Sequence, residues 1–243
     1  VDFVRDARRG GAVLRAMERR LRPRGPDAHG AYLDADAALV HRRLAVIDPE
    51  GGAQPMLSPD GDTVLVYNGE LYNTEEVRRT LLALGHTFRG HSDTEVVLHA
   101  FLEWDTDAFP RLEGIFAFAL WQKSRRRLVL VRDRLGVKPL FYRKTRGGLV
   151  FGSTIGTVLC HPEVEPVIDE DGLRSLLLLG PARPPASGVF RQIDSLLPGC
   201  FAVLTPETFT KAAYWKLEAH EHEDDLETTL SRTHELITGA AER

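Results

Sequence analysis

Val66-Tyr67-Asn68-Gly69-Glu70-Leu71-Tyr72-Asn73-Thr74-Glu75-Glu76 is the stretch whose reading decides the fold. The apolar run Val64–Tyr67 reads as a buried strand that stops at Asn68-Gly69. A helix is expected to begin at Asn73, which forms a capping-box pattern with Glu76. Val77, Leu81, Leu82 and Leu84 supply its apolar face, and Gly85 closes it. Two readings of Asn-Gly stay open on these residues alone. It is the commonest two-residue hairpin turn. Equally, a strand ending beside a helix start brings together a side-chain amide, an unhindered backbone N–H and the Glu70 carboxylate, the parts that hold a developing oxyanion and a cationic amine.

Composition narrows the class. With 243 residues, 43% hydrophobic and 27% charged, the chain reads as a globular protein of one large domain or two small ones. No apolar run reaches the roughly 20 residues of a membrane helix, and the N-terminus is no signal peptide. A net charge of −4 argues against nucleic acid as a partner. Cys160 and Cys200 form no disulfide framework, so a reducing cytoplasm is the expected setting. Neither a phosphate-binding G-x-x-x-x-G-K-[ST] loop nor a G-x-S-x-G elbow is present. His220-Glu221-His222 reads as part of a solvated linker, and no metal site is expected. The adjacent pair Cys160-His161 would point in different directions on a helix or strand, and a free cysteine is usually a packing residue.

Outward from the central stretch, Val1–Val4 reads as the tail of a strand. A helix over Gly10–Leu21 follows, with Val13, Leu14, Met17 and Leu21 on one face. Arg22 to Gly30 is too rich in Pro and Gly for regular structure. Strands are expected at Ala31–Leu33 and Ala38–Asp48, the second setting Arg43 among apolar residues, which suits an arginine paired with an acid or reserved for a ligand. After the central helix, Ser92 and Glu95 form a second capping box. It opens a helix with Val96, Val97, Ala100, Phe101 and Trp104 on its apolar face and Asp93 in its first turn, where the helix dipole favours a carboxylate. Strands at Ile115–Trp121, Leu128–Arg132, Leu140–Arg143 and Leu149–Ser153 have short polar links, with the basic runs Lys123–Arg127 and Arg143–Arg146 as solvated turns. They should be antiparallel neighbours. A helix over Glu170–Leu179, strands at Cys200–Leu204 and Ala213–Leu217, an acidic linker His220–Asp225 and an amphipathic helix from Leu226 complete the chain.

The blocks Arg24-Gly25-Pro26-Asp27, His41-Arg42-Arg43-Leu44-Ala45-Val46-Ile47-Asp48, Gly52-Ala53-Gln54-Pro55-Met56, Tyr67 to Asn73, Ser92-Asp93-Thr94-Glu95, Gly114 to Ala119 and Arg132-Asp133-Arg134-Leu135-Gly136-Val137-Lys138-Pro139-Leu140 together resemble the glutaminase (class II glutamine amidotransferase) domain of glutamine-hydrolysing asparagine synthetases. The resemblance implies an α+β fold, the N-terminal nucleophile hydrolase fold: a four-layer αββα sandwich of two antiparallel sheets. It implies a glutaminase domain over residues 1–217. Residues 218–243 would then be a linker and the first helix of an ATP-dependent synthetase domain. The implied reaction is hydrolysis of L-glutamine to glutamate and ammonia by an N-terminal cysteine, the ammonia amidating aspartate or a related carboxylate in the second domain. By the same resemblance Arg43 pairs with the substrate α-carboxylate, Asn68 and Gly69 form the oxyanion hole, and Glu70 and Asp93 hold the α-ammonium. No cofactor is implied for this domain, whereas ATP and Mg belong to the synthetase domain, and a homodimer is among the implied assemblies.

The chain also departs from that pattern. Val1 carries no nucleophile: family members begin with a Cys-Gly-Ile-type strand a few residues ahead of the segment matching Val1-Asp2-Phe3. Thr154 and Gly156 stand where the family has Glu and Lys, Pro23 replaces a polar residue before Arg24, and no Ser-Gly-Gly-x-Asp-Ser motif of the synthetase domain follows. The alternative reading is a catalytically silent scaffold domain of a β-lactam-forming or lasso-peptide-cyclising relative. A third, an amino-sugar amidotransferase, fits the Arg43–Asp48 and Gly51–Met56 blocks poorly.

Overall fold

The strand through Asn68-Gly69 does not turn there. In the computed structural model, which describes residues 1–4, 7–44, 52–180, 184 and 186–241, it runs Thr63–Leu71 and pairs antiparallel along its whole length with Gly114–Gln122. Asn68 lies opposite Ala117 and Gly69 opposite Phe116. The hairpin reading is thereby overturned. Gly69 is needed for close approach instead, since a Cβ there would sit 2.4 Å from the Ile115 carbonyl oxygen and 2.6 Å from Phe116 Cβ.

The elements in chain order are α1 (Gly11–Leu21), β1 (Ala28–Leu33), β2 (Ala38–Arg43), β3 (Met56–Leu57), β4 (Thr63–Leu71), α2 (Thr74–Ala83), α3 (Asp93–Trp104), β5 (Gly114–Gln122), β6 (Arg127–Arg132), β7 (Phe141–Lys144), β8 (Leu149–Gly152), α4 (Ile155–Val158), α5 (Glu170–Leu179), β9 (Asp194–Ser195), β10 (Cys200–Leu204), β11 (Phe209–Ala213) and α6 (Leu226–Ala241). The fold is α+β with antiparallel sheets. A six-stranded sheet, ordered β11-β10-β6-β5-β4-β3, carries α2 and α3 on one face. Its other face meets a second layer made of the β1-β2 pair and the β8-β7-β9 sheet, and α1 and α4 cover that layer from outside.

Strand alternation separates two cores. Leu65, Tyr67 and Leu71 pack with Val96, Val97, Ala100, Phe101 and Phe109 under the helices. Val64 and Val66 pack instead with Leu39, Trp121, Tyr142 and Leu149 between the sheet layers. The two pieces of the second layer are joined by the N-terminal residues. Val1 and Leu149 exchange both backbone hydrogen bonds, at 2.8 and 2.9 Å. Phe3 N donates to Gly147 O at 2.7 Å, and on the other flank Asp2 N donates to Asp36 O at 2.8 Å.

Several expectations need correction. Asn73 stands at the N-cap of α2 but makes no side-chain cap. Its amide bridges away instead, donating to Arg111 O at 2.9 Å and accepting from Glu113 N at 2.9 Å. The last strand is Phe209–Ala213 rather than Ala213–Leu217, because a turn built on Thr205 and Thr208 sets Phe209 directly opposite Leu204. Strands β6 and β7 are not neighbours but lie in different sheets. The buried Asp133 carboxylate gathers the N–H groups of Phe116, Leu135, Val137 and Lys138 at 2.9–3.2 Å and so folds the connecting loop out of the sheet. Arg132 braces the same loop by donating to the carbonyls of Gly136 and Lys138. The Arg132–Leu140 block is therefore an architectural motif. Of the strand expected over Ala38–Asp48, residues 38–43 are strand, and Ala45–Asp48 lie outside the described residues. Ser92 caps α3 by accepting from Glu95 N, as the capping box requires, but the Glu95 carboxylate binds Arg89 N and Gly90 N instead.

Candidate active site

Backbone polarity along β4 builds the site. Phe116 N donates to Asp133 Oδ2 and Phe116 O accepts from Asp133 N, so the polar groups of Phe116 face β6. Its partner Gly69 is then the non-hydrogen-bonded member of an antiparallel pair, and the Gly69 N–H points to the opposite edge of β4. Odd-numbered residues use that edge throughout. Tyr67 N donates to Gln54 Oε1 at 2.6 Å, Tyr67 O accepts from His41 Nε2 at 3.1 Å, and Leu71 N donates to Asp93 Oδ2 at 3.1 Å. The Gly69 N–H lies between these anchored positions.

Even-numbered side chains of β4 face the second layer, where Asn68 lines a cavity of about 720 Å³. Val66, Ala117 and Ala119 share its floor, Ala38–His41 and Val150–Ser153 form its sides, and α1 residues Val13, Leu14, Met17 and Leu21 roof it. Val1 lies at one end.

Arg43 closes β2, tied through the His41–Tyr67 hydrogen bond to the level of Asn68. A Cβ on Gly52 would lie 2.4 Å from Arg43 Nη2, and one on Gly25 would meet the Arg42–Arg43 backbone at 2.4–2.5 Å, so both glycines let other segments close on this arginine. Asp93, in the first turn of α3, directs its carboxylate to β4, where Oδ2 accepts from Tyr67 Oη at 2.8 Å and from Leu71 N. Glu70 is exposed at the outer end of β4. Asn68, Gly69 and Glu70 thus share one half of β4, Asp93 meets that half at Leu71, and Arg43 lies at the end of the neighbouring β2 beside Gly25 and Gly52.

Other candidates fall away. Cys160 Sγ donates to Gly156 O at 3.4 Å, and His161 Nδ1 accepts from Glu163 N, so the two do not form a dyad. Burial pushes the Cys200 thiol up. Thr154, at the family's Glu position, caps α4 by accepting from Thr157 N. His222 Nε2 contacts Thr229 Oγ1, and among the described residues no group of three or more His, Cys, Asp or Glu could hold a metal.

Sequence reasoning missed His41, Gln54 and Tyr67 as members of the site. Their one signal was position: each stands beside or within a block that the residues already singled out. Burial holds the His41 imidazole down at about 4, the Tyr67 carbonyl acting in the opposite sense and the Arg43 charge adding to the fall. An unfolded histidine titrates near 6.5. Between these values the unfolded chain binds a proton that the folded protein refuses, so stability rises with pH across this window and is lost as pH falls through it. The expected loss is up to about 3 kcal/mol. Urea melts from pH 4 to 7 check this: His41→Gln should flatten the pH dependence, and equal slopes for both proteins would refute the assignment.

The sequence family described as "Glutamine amidotransferase domain" matches residues 1–215. Asparagine synthetase [glutamine-hydrolyzing] 3 of Bacillus subtilis (strain 168) is 40% identical over 245 residues, covering 100% of this chain and 40% of its own length. Asparagine synthetase [glutamine-hydrolyzing] 2 of the same organism is 32% identical over 212 residues, 85% of this chain and 28% of that protein. Asparagine synthetase [glutamine-hydrolyzing] 1 of Arabidopsis thaliana is 44% identical over 125 residues, 51% of this chain and 21% of that protein. The chain therefore spans less than half the length of these relatives. Among solved structures, glutamine phosphoribosylpyrophosphate amidotransferase from B. subtilis superposes with a TM-score of 0.52 at 18% identity over 75% of this chain and 36% of that one, a likeness of fold. Matched over nearly its whole length, the chain belongs to the glutamine amidotransferase domain family, the class II glutaminase domains found in glutamine-hydrolysing asparagine synthetases.

Proposed function

We propose that this domain hydrolyses L-glutamine to glutamate and ammonia, and that in the full-length protein the ammonia amidates aspartate or a related carboxylate at the expense of ATP. The observation that carries the reading is the Gly69 N–H turned to the open edge of β4 beside the cavity-facing Asn68. Two donors so placed suit an oxyanion that develops on the glutamine side-chain amide. Arg43 supplies a planar fork for the α-carboxylate, and Asp93 with Glu70 receives the α-ammonium.

The nucleophile in this reading is a cysteine on an extended segment ahead of Val1. Residues continuing the Val1–Leu149 ladder backwards would run along the cavity between β2 and β8, toward Asn68. The α-amine of that cysteine takes the thiol proton, the thiolate attacks the amide carbon, and the tetrahedral oxyanion collapses as the amine returns the proton to the nitrogen, which leaves as ammonia. Water then cleaves the thioester to glutamate and regenerates the thiol. Residues 218–243, with Leu226, Leu230, Leu236 and Ile237 exposed on α6, are read as the link into a synthetase domain that binds ATP with Mg. No helix among the described residues is long and apolar enough to cross a membrane. A cytoplasmic, homodimeric enzyme completes the proposal.

The test is Arg43→Ala in the full-length protein. Loss of a charge-assisted pair of about 1.5–3 kcal/mol should raise KM for glutamine ~10–100-fold and spare synthesis from added ammonia. Unaltered glutamine kinetics would remove Arg43 from the site.

A further inference from the structure

Asp93 does not behave as an ordinary first-turn carboxylate. The N-terminus of α3 is capped by Ser92, and the loop before it is fixed separately. Arg78 donates to the carbonyls of Gly90 and Ser92, and the Glu95 carboxylate receives the N–H groups of Arg89 and Gly90. With the backbone so held, the Asp93 side chain is free to turn from the helix toward β4. There both of its hydrogen bonds fall on one oxygen: Tyr67 Oη donates to Oδ2 at 2.8 Å and Leu71 N at 3.1 Å. No protein donor among the described residues meets Oδ1.

The partner hydroxyl is itself immobilised. Tyr67 is 4% exposed, packed in the helical core with its ring 6.2 Å from that of Phe118. A buried phenol needs a polar partner, and this one has Asp93. Neither donor occupies the second oxygen, so the pair fixes the carboxylate plane through Oδ2 and leaves Oδ1 without a donor among the described residues. We propose that Tyr67 is a positioning residue for glutamine recognition, clamping Asp93 so that Oδ1 is presented to the substrate α-ammonium. The inference rests on the reading of Asp93 given above and adds the group that makes it selective. A carboxylate held before the ligand arrives loses less freedom on binding than one that must be ordered by it.

The experiment uses the full-length protein with its nucleophile and compares wild type, Tyr67→Phe and Asp93→Asn. Two ligands are used: glutamine, and glutaramate, which is glutamine without its α-amino group, as a competitive inhibitor. Tyr67→Phe keeps the ring and its packing, so a fold defect is not expected. KM for glutamine should rise ~5–20-fold with kcat within about two-fold, less than the loss of a direct hydrogen bond to a charged group would give, because Asp93 itself remains. Inhibition by glutaramate should not move. Weakening of both ligands in step would mean that Tyr67 only supports the fold, and would overturn the inference. If Tyr67→Phe leaves glutamine untouched while Asp93→Asn raises its KM, the clamp fails and the Asp93 reading stands. An Asp93→Asn enzyme with ordinary glutamine kinetics would sink both.

Discussion

A polypeptide of residues 1–243 should release no ammonia from glutamine, and an electrophilic glutamine analogue should label neither of its cysteines. Cys160 sits at the end of α4 with its thiol on the Gly156 carbonyl, and the Cys200 thiol is disfavoured as a thiolate by burial. Neither lines the cavity that Asn68 faces. A nucleophile of this family also needs a free α-amine beside its thiol, which an internal cysteine cannot offer. Adding an extended segment that begins with cysteine ahead of Val1 should create turnover on the order of 1–10 per second where there was none. It should also raise the melting temperature, since the added residues extend a ladder into an apolar cavity. Glutamine-protected labelling of Cys160 or Cys200 would place the nucleophile elsewhere. A restored segment that labels nothing would favour a silent scaffold.

The second large effect is expected at Asn68. Its amide faces the cavity while its backbone is locked to Ala117, so Asn68→Ala removes a donor without disturbing the strand. In the full-length protein kcat for glutamine hydrolysis should fall by ~10²–10³, as for other single oxyanion donors, with a much smaller change in KM. Stopped-flow or steady-state assays of glutamate release would show it. A binding defect with normal turnover would instead assign Asn68 a purely architectural part in pairing β4 with β5.

What was legible in the sequence followed from local chemistry. The helix over Glu170–Leu179 and the strand over Cys200–Leu204 appear with the expected bounds, and the apolar face expected for α3 is buried apart from a partly covered Trp104. Two of the misreadings share a cause, a residue whose partner lies far along the chain. Asn68-Gly69 has the chemistry of a turn, yet pairing with β5, formed some fifty residues later, holds it straight. Asn73 has the chemistry of a cap, yet its partners Arg111 and Glu113 are 38 and 40 residues away. At the site, Arg43, Asn68, Gly69, Glu70 and Asp93 were named by resemblance: Asn68, Gly69 and Glu70 are consecutive on β4, Asp93 reaches that strand at Tyr67 and Leu71, and Arg43 ends β2 two residues beyond His41. Tyr67 escaped notice because an apolar strand explains a tyrosine fully until its hydroxyl is seen on a carboxylate 26 residues away.

The seam made by Val1–Phe3 sets a clock on synthesis. The bond from Val1 to Leu149 spans 148 residues, so the N-terminus cannot dock until β8 has left the ribosome. At ~5–20 residues per second that is a delay of roughly 7–30 s. During this interval the β1-β2 hairpin can form locally but has no β8 to share a layer with. Any catalytic thiol carried ahead of Val1 would stay solvent-accessible and unarmed until the six-stranded sheet beneath it exists. Nascent chains stalled before Leu149 should accordingly expose their first residues to protease, and chains stalled well beyond Gly152 should protect them.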